Sequence, residues 1–294
     1  MPRPRAHASG RAISMTAARV AALHVYPIKG ARGLAPDSAH VTATGLASHG
    51  AGDREWMVVD ATGMFITQRE LPRLALVDVA AGPGILTLRA PGAAPLAVAQ
   101  AATGPSIAVE VWRHRGRGID AGDAAAAWLS AWLRAPARLV RFDPATPRAC
   151  NADFVGTSGA HTYFADGYPV LVISTASLVD LNARLQARGG RALPMNRFRP
   201  NLVLDGLPPY AEDHLDTITI GDARFACVKA CTRCVVTTTD QDTTDTGMEP
   251  LRTLGEYRMD ERLCGVTFGM NAIVTAGAGS TIACGDNARV DYRF

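Results

Sequence analysis

The chain has 294 residues, a formal net charge of +3, and a composition that is 48% hydrophobic and 19% charged. That length buries a real core in one large domain or two ordinary ones, and a net charge of +3 is too small to argue for a nucleic-acid partner, so none is expected. No apolar run approaches the roughly 18–20 residues of a membrane span, so no membrane partner is expected either.

Basic charge is carried almost entirely by arginine: of 30 basic residues only Lys29 and Lys229 are lysine. Residues 1–19, "MPRPRAHASGRAISMTAAR", carry four arginines, and no acid precedes Asp37. Residues 1–18 read as a disordered extension, with a targeting peptide as the other reading and Met15 as an alternative start.

From Arg19 to about Trp112 the pattern is β. "ARVAALHVYPIKG", "DREWMVVD" and "MFITQRE" alternate like strands, and "DATG" between the last two predicts a hairpin across residues 56–66. "LALVDVA" and "ILTLRA" flank Gly82-Pro83-Gly84 and predict a second hairpin. Short strands with Gly and Pro turns point to a barrel or sandwich rather than βαβ units.

"DAAAAWLSAWLRAPARLV" breaks that rhythm, with Trp128 and Trp132 four apart on one apolar helical face. Asp120 or Asp123 is placed to cap this helix. After a loop-rich stretch, "STASLVDLNARLQARGG" is the clearest helix. Leu178, Leu181 and Leu185 recur at helical spacing, Ser174 or Thr175 supplies the N-cap, and Gly189-Gly190 ends it. "TITIGDARFACV" reads as a hairpin turning at Gly221-Asp222, "VVTTT" as a strand, and "GSTIACGD" as a terminal strand. The pattern reads as α+β and β-dominated: two units joined somewhere in 113–145, both β-rich and carrying a few helices.

The six cysteines (150, 227, 231, 234, 264, 284) form no secreted-type framework, so reduced thiols in a cytoplasm are expected. Cys227, Cys231 and Cys234 read C-x3-C-x2-C, the spacing of radical-SAM iron–sulfur motifs, yet no alternating β–α run surrounds them. A zinc site lacks a second ligand pair. A thioredoxin-type dithiol should open a helix, whereas β-branched residues follow here. Two structural thiols, or one thiolate reserved for a soft metal centre, remain open. Lys229 and Arg233 flank the pair, and nearby positive charge favours thiolate.

"KACTRCVVTTTDQDT" resembles the signature segment of MOSC-domain proteins, and "RFRPNLVLDG", "YAEDHLDTITIGD" and "EPLRTLGEYR" resemble further blocks of that domain in the same order. Upstream, "VYPIKGARG", "DREWMVVDATGMFITQRE" and "PRLALV" resemble the associated N-terminal β-barrel region. By pattern the chain resembles amidoxime-reducing components and bacterial proteins that reduce hydroxylaminopurines, and the resemblance implies an N-terminal β-barrel-like region over 19–115 packed with a second β-barrel domain over 116–294 that includes the connecting helix and carries a few helices.

The resemblance implies a molybdenum cofactor (molybdopterin), with Cys234 as the metal ligand and Cys231 as its non-ligating neighbour. It implies cofactor contacts from Lys29, Arg54 and Arg199, and from Thr232 and Arg233. Gly167, Tyr168 and Asn271 match cofactor-lining positions less closely. Gly30 stands where the amidoxime reducers carry serine, and Gln241 replaces the proline of Asp-Pro-Asp-Thr. No pyridoxal-phosphate domain and no iron–sulfur cysteine set are expected. The implied activity is two-electron reduction of a small N-hydroxylated substrate, N–OH to N–H with loss of water. Electrons would come from a separate flavoprotein, ferredoxin or cytochrome. The alternative is a sulfur or cofactor carrier that uses Cys234 without turnover of its own. Asp240 and Asp242 read as turn-capping acids.

Overall fold

The computed structural model describes residues 16–101 and 103–293. The expected extension 1–18 therefore lies outside the described residues except for its last three positions, which open the strand Thr16–Leu23.

That strand belongs to the C-terminal half of the chain. It pairs antiparallel with Leu202–Asp205 on one side and with Asn287–Tyr292 on the other. The sheet continues through Leu215–Ile220, Ala223–Thr232 and Gly265–Ala276 to Val170–Ser174. Val170–Ser174 then pairs parallel with Leu202–Asp205 and closes a seven-stranded barrel. Closure leaves no free edge in that ring. Alternate residues such as Val20, Val172, Leu204, Ile218, Phe225 and Val290 point inward and are at most 2% exposed. The 215–232 hairpin turns where expected, with Gly221 at φ +54°. Ser38–Thr42, expected in the first unit, pairs with Thr281–Ala283 on one side and with Gly45–Ser48 on the other, and this sheet buries Val41 and Leu46 against the barrel core.

A second unit forms from residues in between. Trp56–Val59, Arg138–Phe142, His114–Asp120 and Ser106–Val111 make a four-stranded sheet, and Asp78–Gly82, Ile85–Ala90 and Ala93–Ala99 make a three-stranded meander. Helix Asp123–Leu133 lays Ala125, Leu129 and Leu133 against the same core as Trp56, Val79, Leu86, Leu88 and Leu139. Neither expected aspartate caps this helix. Gly122 is the N-cap, and Asp120 instead accepts the Gly122 N–H. Residues 115 and 116 lie within the strand His114–Asp120, and Arg138–Phe142 pairs with Trp56–Val59 in the same sheet.

The 56–66 turn forms, closed by the Asp60 carboxylate on Thr62 and Met64, but its second arm is not a regular strand. Phe65 directs its N–H to the Glu110 carbonyl and meets Val59 only as an isolated bridge. Helix Thr175–Ala187 matches its pattern: Ser174 accepts the Ser177 N–H, and Gly190 closes onto the Leu185 carbonyl. No helix among the described residues is long and apolar enough to cross a membrane.

Candidate functional site

All ten residues singled out by resemblance line one cavity of about 140 Å³ between the two units: Lys29, Gly30, Arg54, Gly167, Tyr168, Arg199, Thr232, Arg233, Cys234 and Asn271. They arrive from both halves of the chain. Lys29, Gly30 and Arg54 come from the loops around Trp56, whereas Thr232 to Cys234 sit at the end of the barrel strand Ala223–Thr232.

Arg54 and Arg199 are the electrostatic centre. Both hold positive φ, +50° and +54°, a conformation that costs a side-chain-bearing residue energy unless its surroundings dictate it. Here they do. Arg54 donates to Asp53 at 2.5 Å, to Asn201 Oδ1 at 3.1 Å and to the Arg199 carbonyl at 3.1 Å. Asn201, only 1% exposed, also donates to Asp53 at 2.8 Å and accepts the Leu171 N–H. Both guanidinium carbons lie 4.2 Å from the centroid of Tyr26. Burial works against the Arg54 charge, but the charge and hydrogen bond of Asp53, with Tyr26 and Asp166, together hold the group above its ordinary range. Arg199 has no such partner, so burial pulls it down to about 10. It stays cationic at neutral pH, and its Nη2 is buried without an acceptor.

Lys29 is 9% exposed and donates to Asp166 Oδ1 at 2.5 Å. Asp166 also accepts the Trp112 indole N–H at 2.9 Å. Burial lowers the Lys29 ammonium, and Asp166 offsets this only in part. Burial would likewise raise the Asp166 carboxyl, but the Lys29 charge and hydrogen bond, with Trp112, hold it well below the usual carboxylate range. Solvent reaches 69% of the Asp166 side chain through the cavity, so the short contact fixes this ion pair more than enclosure does. Arg148, 8% exposed, shapes the same wall by donating to the Tyr163, Ala165 and Asp166 carbonyls.

The two thiols differ in surroundings. Arg233 donates Nη1 to Cys231 Sγ at 3.0 Å and Nη2 to the Phe198 carbonyl at 2.6 Å, leaving its Nε buried and unpaired. Lys229, beside the pair in sequence, does not line the cavity. Its Nζ sits 4.8 Å from the Phe154 ring, and it borders an adjoining hollow instead. Cys234 is half-buried and caps the short 3-10 helix Val235–Thr238, not the strand expected of "VVTTT". The Thr237 and Thr238 hydroxyls bond back to the Cys234 and Val235 carbonyls, which satisfies locally the groups a strand would pair across a sheet.

Asp240 and Asp242 do not line the cavity. Asp240 caps its turn through the Asp242 and Thr243 N–H groups and pairs with Arg197, and Asp242 pairs with Arg32. A serine at position 30 is disfavoured by φ +82° and by Leu74, whose Cδ2 would lie 2.7 Å from an added Cβ. Among the described residues no three His, Cys, Asp or Glu side chains gather as a metal site. A metal here would therefore draw most of its ligands from a guest. The orphaned donors of Arg199 and Arg233, in a cavity also lined by Arg54, Arg69, Arg197 and Lys29, suit a guest that is anionic.

Comparison with known proteins accords with this arrangement. The MOSC N-terminal beta barrel domain matches residues 17–136 and the MOSC domain matches residues 160–289. Mitochondrial amidoxime-reducing component 1 of Mus musculus is 39% identical, over 82% of this chain and 71% of that protein. Its Homo sapiens counterpart is 38% identical, over 81% and 72% respectively. Mitochondrial amidoxime reducing component 2 of Bos taurus is 36% identical, over 82% and 72%. With both domains matched in order and identity at this level across most of the length, the chain belongs to the MOSC family, the family of the amidoxime-reducing components.

Proposed function

We propose that this protein reduces N-hydroxylated compounds with a molybdenum–molybdopterin cofactor bound in the cavity, using electrons delivered by a separate flavoprotein, ferredoxin or cytochrome. One observation carries the reading: basic side chains from both units, Lys29, Arg54 and Arg199, converge on the cavity that Cys234 also lines. The relatives named above are amidoxime-reducing components, which supports the same substrate class.

When bound, the cofactor supplies the two-electron chemistry that converts N–OH to N–H with release of water. The protein's share is binding and orientation. Arg199 Nη2 and Arg233 Nε, both buried without an acceptor, offer fixed donors to an anionic guest. Arg54 is held rigid by Asp53 and Asn201 and presents its charge from the N-terminal unit. Cys234, at the head of a short helix and open to the cavity, supplies the soft ligand. Cys231 is engaged by Arg233 and serves as a neighbour. All six cysteines are unpaired, which suits the reducing cytoplasm in which this reading places the protein.

Protein made in a cofactor-competent host should contain about one molybdenum per chain and should reduce an amidoxime in the presence of a reductant. Cys234→Ala should lose both properties, whereas Cys231→Ala should retain the metal. Retention of metal and turnover in both variants defeats the ligand assignment. Sulfane sulfur on Cys234 with no molybdenum would favour a carrier role instead.

A further inference from the structure

Beside the cavity lies a wider hollow of about 810 Å³. Phe65, Trp112, Asp166, Gly167 and Tyr168 border both spaces, so a molecule can lie in the hollow and reach the cavity across that shared wall. Its surfaces are aromatic. Phe65 and Trp112 meet edge to face at 5.0 Å, and Tyr168 lines the hollow with Phe154 edge-on behind it at 6.4 Å.

Its charge is one-sided. Arg113, Arg148 and Lys229 border the hollow, and the sole carboxylate among its lining residues, Asp166, is engaged by Lys29. Arg148 bonds to backbone carbonyls, and its one carboxylate neighbour, Asp166, forms its ion pair with Lys29 instead. Among the described residues, no carboxylate forms an ion pair with Arg113 or Lys229. Lys229 is half-buried on a barrel strand and rests against Phe154, so it is aimed rather than freely solvated. Cations left without counter-ions around an aromatic hollow are the complement of a planar ligand with a negative group at one end.

Building on the reading above, we propose that this hollow selects N-hydroxylated substrates with a planar unsaturated body and an anionic tail, carboxylate or phosphate, which Arg113 and Lys229 bind while the N–OH group enters the cavity. A neutral substrate of the same size would fill the aromatic part and leave the two cations unanswered. A charge-assisted contact of this kind contributes about tenfold to discrimination.

The test compares three benzamidoximes that differ only at the 4-position: a carboxylate, a phosphate ester and a neutral carboxamide. With molybdenum-loaded protein, kcat/KM for the two anionic compounds should exceed that for the carboxamide by about tenfold, mainly through KM. The arm with the larger preference identifies the tail. Raising salt should erode the preference, and Arg113→Ala or Lys229→Met should reduce the ratio toward one. Arg113 is exposed, so its variant is not at risk of misfolding. A ratio near one in the unmodified protein overturns the inference and leaves the reductase reading intact. If no compound is reduced, the reductase reading fails. Calorimetric titration of the protein with the carboxylate and carboxamide compounds then still decides this one, since equal affinities refute it and tighter carboxylate binding that Lys229→Met abolishes upholds it.

Discussion

Gln68 and Gln241 face each other as a reciprocal amide pair, each Nε2 donating to the other's Oε1 at 2.9 Å. They are 1% and 5% exposed and come from opposite units. Gln68 also donates to the Gly30 carbonyl at 2.7 Å, and Gln241 Oε1 accepts a longer contact from Arg199 Nη1 at 3.4 Å. Gln241 therefore ties the Lys29–Gly30 loop to Arg199, whose Nη2 is buried without an acceptor.

Gln241→Ala should cost about 1–3 kcal/mol, because the buried Gln68 amide is left unsatisfied. Replacing both glutamines by methionine should cost less than the two single methionine changes added together, since neither amide is then left facing an apolar partner. Urea unfolding of the four proteins checks this, and strict additivity would count against the pair. Molybdenum content should fall in Gln241→Ala as well, through the loss of restraint on Arg199.

Arg54→Ala should destabilise the protein by about 3–5 kcal/mol, the cost of leaving a buried carboxylate without its cation. Asp53 is 2% exposed, and its remaining bonds come from Tyr26 and Asn201. Arg54→Lys should recover only part of the loss, because one ammonium cannot span Asp53, Asn201 and the Arg199 carbonyl together. Thermal unfolding that ranks the lysine variant level with the unmodified protein would contradict this geometry.

Gly30→Ser, the change toward the amidoxime-reducing pattern, should destabilise this chain by about 1–2 kcal/mol from the left-handed backbone alone. The contact with Leu74 adds to that. Combining Gly30→Ser with Leu74→Ala should remove the steric part and leave the backbone part, and denaturation midpoints of the two variants separate them. A fully stable Gly30→Ser protein would show that the loop relaxes more easily than its contacts imply.

Acid should weaken the Lys29–Asp166 link in a definite direction. The Asp166 carboxyl is held below its ordinary value of 3.8, so the link stabilises the fold above that value and is lost as pH falls below it. Lys29 stays charged there and is left as a buried cation without a counter-ion. The stability gap between the unmodified protein and Asp166→Asn should therefore be full at about pH 7 and close toward about pH 2. A gap that stays constant with pH would show that the pair is not the cause.

Much of the fold could be read directly from the chain. Helix Thr175–Ala187, with Ser174 as its cap, and the hairpins turning at 82–84 and 221–222 follow from periodicity and turn residues acting over a few positions. The reading failed where a local pattern had two outlets. "VVTTT" has strand propensity, but threonine hydroxyls next to a helix-start geometry took the backbone groups instead. It also failed where a strand's partner lay far along the chain, as when Arg138–Phe142 returned to Trp56–Val59 and Thr16–Leu23 joined the distal barrel.

Motif matching found the ten cavity residues, but only those that a motif names. Asp166, Trp112, Arg148, Asn201 and Gln68 carried no local signal. Asp166 meets Lys29 across 137 positions and Gln68 meets Gln241 across 173, and nothing in the neighbourhood of either member announces its partner.

By itself the sequence determined the local elements, the family and the chemistry available: scarce lysines, abundant arginine forks and a thiol at position 234. Only the tertiary structure decided which charges stand alone. Whether a cation is answered depends on what the barrel and its companion sheet bring within hydrogen-bond reach. That pairing satisfied Arg54 and Lys29 while leaving Arg199 Nη2 and Arg233 Nε without acceptors, because burial and distance are properties of the closed fold and not of any short stretch of chain.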